Sequence, residues 1–89
     1  MNERELRAFV RIAETGRMDV AAKTLGYSQP ALSYQLKRLE RELRTRLFER
    51  DSLGARLTAE GQSILPSARA ALALLDGIRA VARGSERVC

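Results

Sequence analysis

The stretch Leu25-Gly26-Tyr27-Ser28-Gln29-Pro30-Ala31-Leu32-Ser33, preceded by Ala21-Ala22, constrains the fold of this chain more than any other. A glycine able to take the left-handed conformation ends one helix, and a serine N-cap with a first-turn proline opens the next. Tyr27 and Leu32 stand at the N′ and N4 positions of a hydrophobic staple, so the entry angle of the second helix is set from both sides of the turn. The alanine pair lets the two helices cross closely. The spacing predicts a first helix over about residues 18–25 and a second over about 29–43.

At 3.6 residues per turn, Leu32, Leu36, Leu39 and Leu43 form the inward stripe of the second helix. Pro30, Ser33, Tyr34, Lys37 and Arg41 fall on an adjacent arc with almost no aliphatic content. Small, hydrogen-bonding residues near a helix N-terminus suit base edges, and cations further along suit phosphates. An ordinary solvated basic face has the same pattern. The turn chemistry upstream is what favours a reading helix lying in a DNA major groove.

Ahead of this motif, Leu6, Phe9, Val10 and Ala13 predict an amphipathic helix from Glu3 to Thr15, stopped by Gly16, with Phe9 in the core and Arg4, Arg7 and Arg11 as solvated charge. After it, the runs Leu47-Phe48-Glu49-Arg50 and Ala55-Arg56-Leu57-Thr58 flank the turn-prone Asp51-Ser52-Leu53-Gly54 and predict a small hairpin. Phe48 and Leu57 anchor its base, while Arg50 and Arg56 project toward a neighbouring DNA backbone or minor groove. The alternative is a weak surface pairing of Arg50 with Glu49 or Asp51.

The last segment is alanine- and leucine-rich, with Thr58 as a cap and Glu60 in its first turn, and predicts a helix to about Arg83. Such a helix is roughly 37 Å long, whereas the part before it has an expected radius of gyration near ~10 Å. It therefore overhangs, and an identical helix is the simplest cover for the apolar stripe Ile64, Ala68, Ala71, Leu75, Ile78 and Ala82, with Leu65 and Leu72 alongside, the expected seam being Ile64, Ala68, Ala71, Leu72, Leu75 and Ile78. Homodimerisation through that stripe is the expectation. The alternative is a fold-back onto the chain's own domain, in particular over the first two turns. Pro66 is expected to kink this helix or start it anew.

A formal charge of +5 over 89 residues suits a polyanionic partner. No histidine, no carboxylate pair within apolar sequence, no glycine-rich phosphate loop and a single cysteine, Cys89, leave no foothold for catalysis, a metal or another cofactor. Cys89 reads as an incidental thiol. Without a signal-peptide pattern or an apolar run of the ~20 residues needed to span a bilayer, the expected location is the cytoplasm, away from membranes.

These words occur in an order that resembles the N-terminal domain of LysR-type transcriptional regulators: Leu6-Arg7-Ala8-Phe9, Ala13-Glu14, Gly16, Ala21-Ala22, Leu25, Ser28 to Ser33, Gln35-Leu36, Leu39-Glu40, Leu43, Leu47 to Arg50, Arg56-Leu57-Thr58 and Gly61. The resemblance implies a mainly α fold, a winged helix-turn-helix with a three-helix core and a small two-stranded wing, followed by a long linker helix through which subunits pair. The expected units are residues 1–58 for DNA binding, 59–84 for the linker helix and 85–89 for a flexible tail. The DNA-binding set comprises Ser28, Gln29, Pro30, Ser33, Tyr34, Lys37, Arg38 and Arg41 on the reading helix and Arg50 and Arg56 on the wing. A dimer would meet a dyad-symmetric double-stranded operator with half-sites about one turn, ~34 Å, apart or a multiple of it, within the bacterial nucleoid. Small-molecule effectors would act through a larger domain that these residues do not include. The chain departs from the family pattern at Met18, where an aromatic is usual, at Asp19, where a hydroxyl residue often touches the DNA backbone, at Tyr34, where arginine is frequent, and at Arg44, where glycine is common. Methionine fills the same pocket, Asp19 is expected to cap its helix, Tyr34 to alter base preference, and Arg44 to let the reading helix run slightly further. Two other readings are a dimerisation antagonist of longer homologues and a non-specific architectural DNA binder.

Overall fold

The computed structural model describes residues 1–52 and 54–88. Leu53 at the hairpin tip and the terminal Cys89 lie outside the described residues. The elements are α1 (Glu3–Thr15), α2 (Met18–Leu25), α3 (Gln29–Leu43), β1 (Phe48–Asp51), β2 (Gly54–Leu57) and α4 (Ala59–Val88).

Local chemistry accounts for most of these boundaries. Asn2 accepts a hydrogen bond from the Glu5 amide at 2.9 Å and opens α1. Ser28 accepts one from the Ala31 amide at 3.2 Å and opens α3. Thr58 accepts one from the Gly61 amide at 3.0 Å at the start of α4. Left-handed Gly16 (φ 70°) and Gly26 (φ 75°) close α1 and α2. The expected extension of α3 past Leu43 does not occur: Arg44 itself takes the left-handed conformation at φ 53° and ends the helix without a glycine.

Leu32, Leu36 and Leu39 of α3 are buried against Ala8, Phe9 and Ile12 of α1 and Ala21 and Ala22 of α2. Phe9 meets Phe48 edge to face, with ring centroids 5.6 Å apart and planes at 71°, which ties the hairpin to the helical core. The buried stripe of α1 is rotated from the expected one. Glu5, Ala8, Phe9, Val10 and Ile12 are enclosed, whereas Leu6 and Ala13 are only partly covered.

The strands pair antiparallel with Phe48 opposite Leu57 and Arg50 opposite Ala55. Two backbone approaches fix the hairpin. The Ala55 amide donates to the Gly16 carbonyl at 3.0 Å, and Gly54 (φ 133°) comes so near that a Cβ there would lie 2.3 Å from the same oxygen. At the other end, the Thr58 amide donates to the Leu47 carbonyl at 3.0 Å and the Leu47 amide donates to Glu40 Oε2 at 2.8 Å.

The largest departure from expectation is α4. Leu65, Ala68 and Leu72 belong to the core, and Arg7 reaches Asp76 at 2.8 Å while Arg79 pairs with Glu3. The helix thus lies along its own domain from Gly61 to Arg79, roughly five turns, against the two of the fold-back alternative. It is a single helix through Pro66. Gln62 and Pro66 both lie on its exposed side, so the carbonyl that loses its partner to proline is on the solvent face rather than in the core. Residues 85–88, expected in a tail, continue the helix. Thirty residues of helix measure about 45 Å and account for most of the long dimension of a molecule 53 × 25 × 19 Å in extent. Among the described residues, no helix is long and apolar enough to cross a membrane, and no cluster of three or more His, Cys, Asp or Glu side chains could hold a metal.

Candidate nucleic-acid interface

Because the leucine stripe turns one side of α3 inward, Ser28, Gln29, Pro30, Tyr34, Lys37, Arg38 and Arg41 are exposed and Ser33 is partly so. They form one continuous polar surface. Lys37 and Arg41 make no ion pair among the described residues, which leaves their charge available to an anionic partner. Ser28 divides its roles, since its hydroxyl already caps α3.

The hairpin flanks this surface, and strand alternation decides where its arginines go. Arg50 shares a face with Phe48 and Leu57 and reaches α3, donating Nη2–H to the Ser33 hydroxyl at 3.3 Å. Arg56 lies on the opposite face and pairs with Asp51 at 3.1 Å. The two arginines therefore project from opposite sides of the wing rather than side by side. Asp51 pairs with Arg56, where the pairing alternative had Arg50 with Glu49 or Asp51.

Between the start of α2, the start of α3 and the wing lies an open cleft of about 650 Å³ lined by Arg17, Asp19, Gln29, Arg50 and Asp51 among others. Arg17 belongs to this surface although sequence reasoning passed over it; its signal was a cation directly after the Gly16 turn. Its guanidinium grips Asp19 in a fork, Nη2 to Oδ2 at 2.9 Å and Nε to Oδ1 at 3.1 Å. Asp19 is not the N-cap of α2, a position held by Arg17 without a side-chain bond, but sits inside the first turn. Partial desolvation pulls its carboxyl upward, yet hydrogen bonds from Arg17 and the Val20 amide outweigh this and hold it below its ordinary value. Met18 is buried, as expected for a methionine filling an aromatic's pocket.

Arg38 lies at the edge of the reading arc. Its Nε–H donates to Glu5 at 3.2 Å and its Nη1–H to the Tyr34 hydroxyl at 3.1 Å. The apolar seam on α4 also needs correction. Ala68 and Leu72 are covered by the chain's own core, and Ile64, Ala71 and Leu75 are half-buried at its margin. Of the six expected seam residues only Ile78 is fully exposed, in company with Leu74 and Val81, at 66, 71 and 71% respectively. The free apolar face is rotated away from the expected one because α1 already occupies part of that stripe.

A helix-turn-helix whose second helix presents a polar face beside a two-stranded wing defines a winged DNA-binding domain. The profile of the bacterial regulatory helix-turn-helix proteins of the lysR family matches residues 4–62. The chain belongs to that family and is a LysR-type helix-turn-helix DNA-binding domain. It is 46% identical over 87 residues to the transcriptional regulator BudR of Klebsiella aerogenes, covering 98% of this chain and 61% of the relative. It spans less than two thirds of that curated relative's length. Its fold superposes on the DNA-binding domain in the CbnR–DNA complex with TM-score 0.87, 39% identity and coverage of 96% of this chain and 98% of the other. The BenM DNA-binding domain in complex with catB site 1 DNA gives TM-score 0.87, 35% identity and 93% coverage of both chains. The BudR relative is a transcriptional regulator.

Proposed function

We propose that the chain regulates transcription by binding a dyad-symmetric operator as a homodimer, with α3 in the major groove of each half-site and the wing on the flanking backbone or minor groove. The observation that supports this most is the continuous exposed surface from Ser28 to Arg41, joined to the wing by the Arg50–Ser33 hydrogen bond. Ser33 and Tyr34 read base edges, Gln29 and Pro30 line the entry to the groove, and Lys37, Arg41, Arg50 and Arg56 meet phosphate. The bacterial relatives support a site of action on the nucleoid, in the cytoplasm. Pairing through the exposed Leu74, Ile78 and Val81 would supply the dimer. That same face favours the second reading, capture of longer homologues in mixed dimers.

Selection of duplexes from a random library, followed by binding at fixed salt, tests the proposal. Arg56→Ala should weaken all duplexes alike, whereas Ser33→Ala and Tyr34→Ala should change which duplex is preferred, by roughly five- to 100-fold at the affected base pair. Uniform losses for all three variants, or no preference for any selected duplex over random DNA, would overturn it.

A further inference from the structure

Among the described residues, Glu5 is the only charged side chain enclosed by the core, 2% exposed on the inward stripe of α1. Its Oε2 accepts the Arg38 Nε–H at 3.2 Å, while its Oε1 accepts no hydrogen bond and lies 3.9 Å from the Met1 amine. An ionised carboxylate in such a place is a poor way to gain stability, because an apolar side chain of similar size avoids the desolvation. Its effect is best sought in what it orients. Arg38, so held, donates to the Tyr34 hydroxyl at 3.1 Å and places its guanidinium carbon 5.7 Å from the centroid of the Tyr34 ring. A tyrosine that is 57% exposed on a helix has more than one rotamer open to it. Two contacts from one guanidinium, itself fixed from below, select one of them.

We infer that Glu5 is a positioning residue for base recognition, acting from inside the scaffold through Arg38 to set the orientation in which Tyr34 meets DNA. This rests on Tyr34 being a base contact. Glu5 touches no base or phosphate itself. The carboxylate also balances the charge of Arg38, which makes that arginine an organiser of the reading surface before it is a phosphate ligand. A preformed Tyr34 loses less rotamer freedom on binding and discriminates more sharply between base pairs.

The test uses the 89-residue chain and a duplex selected from a random-core library, remade with each base pair changed singly and titrated by fluorescence anisotropy at constant salt. Variants are Glu5→Gln, which keeps shape and acceptor but removes the charge, Arg38→Met on the surface, Tyr34→Ala, and the double variant Glu5→Gln/Tyr34→Ala. Amide NMR spectra establish that each is folded. The expected result is a loss of about five- to tenfold in discrimination for Glu5→Gln and Arg38→Met, confined to the base pair that Tyr34→Ala affects. Glu5→Gln should add nothing once Tyr34 is alanine. Folded Glu5→Gln that keeps full discrimination, or weakens every duplex equally while Tyr34→Ala acts at one base pair, overturns the inference and leaves the base-contact reading standing. A Tyr34→Ala variant with an unchanged preference pattern overturns both.

Discussion

A carboxylate facing a duplex repels phosphate unless its charge is already balanced, and Asp19 is balanced by the Arg17 fork. Neither residue then contributes net charge to the cleft. Asp19→Ser should release Arg17 toward the DNA and steepen the fall of log K with log salt by about 0.9 for the one added phosphate contact; a slope unchanged between low and moderate salt would show that Arg17 points elsewhere. Arg44 offers a second single-residue test, because a left-handed non-glycine residue is strained. Arg44→Gly should stabilise the domain by roughly 0.5–1 kcal/mol after the greater entropy of unfolded glycine is subtracted, measured by urea unfolding. At this scale the legible residues were those whose partners are close in sequence. Ser28 and Thr58 cap amides three residues ahead, and both roles follow from spacing alone. The engagement of Arg38 was not legible, since its partner Glu5 lies 33 positions away and a charge inside an apolar stripe breaks the pattern used to find the stripe.

The bounds of α1, α2 and α3 followed from caps and periodicity because nothing tertiary overrides them. The phase of α1 and the role of α4 did not, for one shared reason. Which face of an amphipathic helix is covered depends on its neighbour, and α1 and α4 are each other's neighbour across more than fifty residues of chain. Their junction holds a charge network in which Arg79 and Arg7 keep the Glu3 carboxyl down at about 2. A carboxylate with a depressed folded value stabilises the folded state above its unfolded value, here 4.5, and that contribution disappears as the pH drops from there toward 2. The α1–α4 junction should thus loosen across that window. Carboxyl-detected NMR titration should place the Glu3 midpoint near the lower end, and Glu3→Gln should flatten the acid limb of the thermal stability profile. A midpoint at the ordinary glutamate value would show that the network does not hold in solution.

For the molecule as a whole, the rotated apolar face of α4 separates two kinds of substitution that the sequence pattern treats as one. Under the proposed dimer, Ile78→Glu, alone or with Leu74→Glu, should leave a folded monomer in sedimentation velocity, because both side chains are largely exposed on their own domain. Leu72→Ala should instead destabilise the fold, by about 2–3 kcal/mol, with little change in self-association among the molecules that stay folded. The reverse pattern would restore the stripe expected from sequence.

The ion pairs that tie α4 along α1 fix the angle between a rod about 45 Å long and the domain it lies against. In a paired assembly that angle is a ruler for the distance between reading heads. A tilt of roughly ten degrees at the root moves the far end by about 8 Å, more than two base-pair steps of ~3.4 Å. For a dimer on a dyad-symmetric site, half-site spacing would then depend on Glu3, Arg7, Asp76 and Arg79 as much as on any side chain that meets a base.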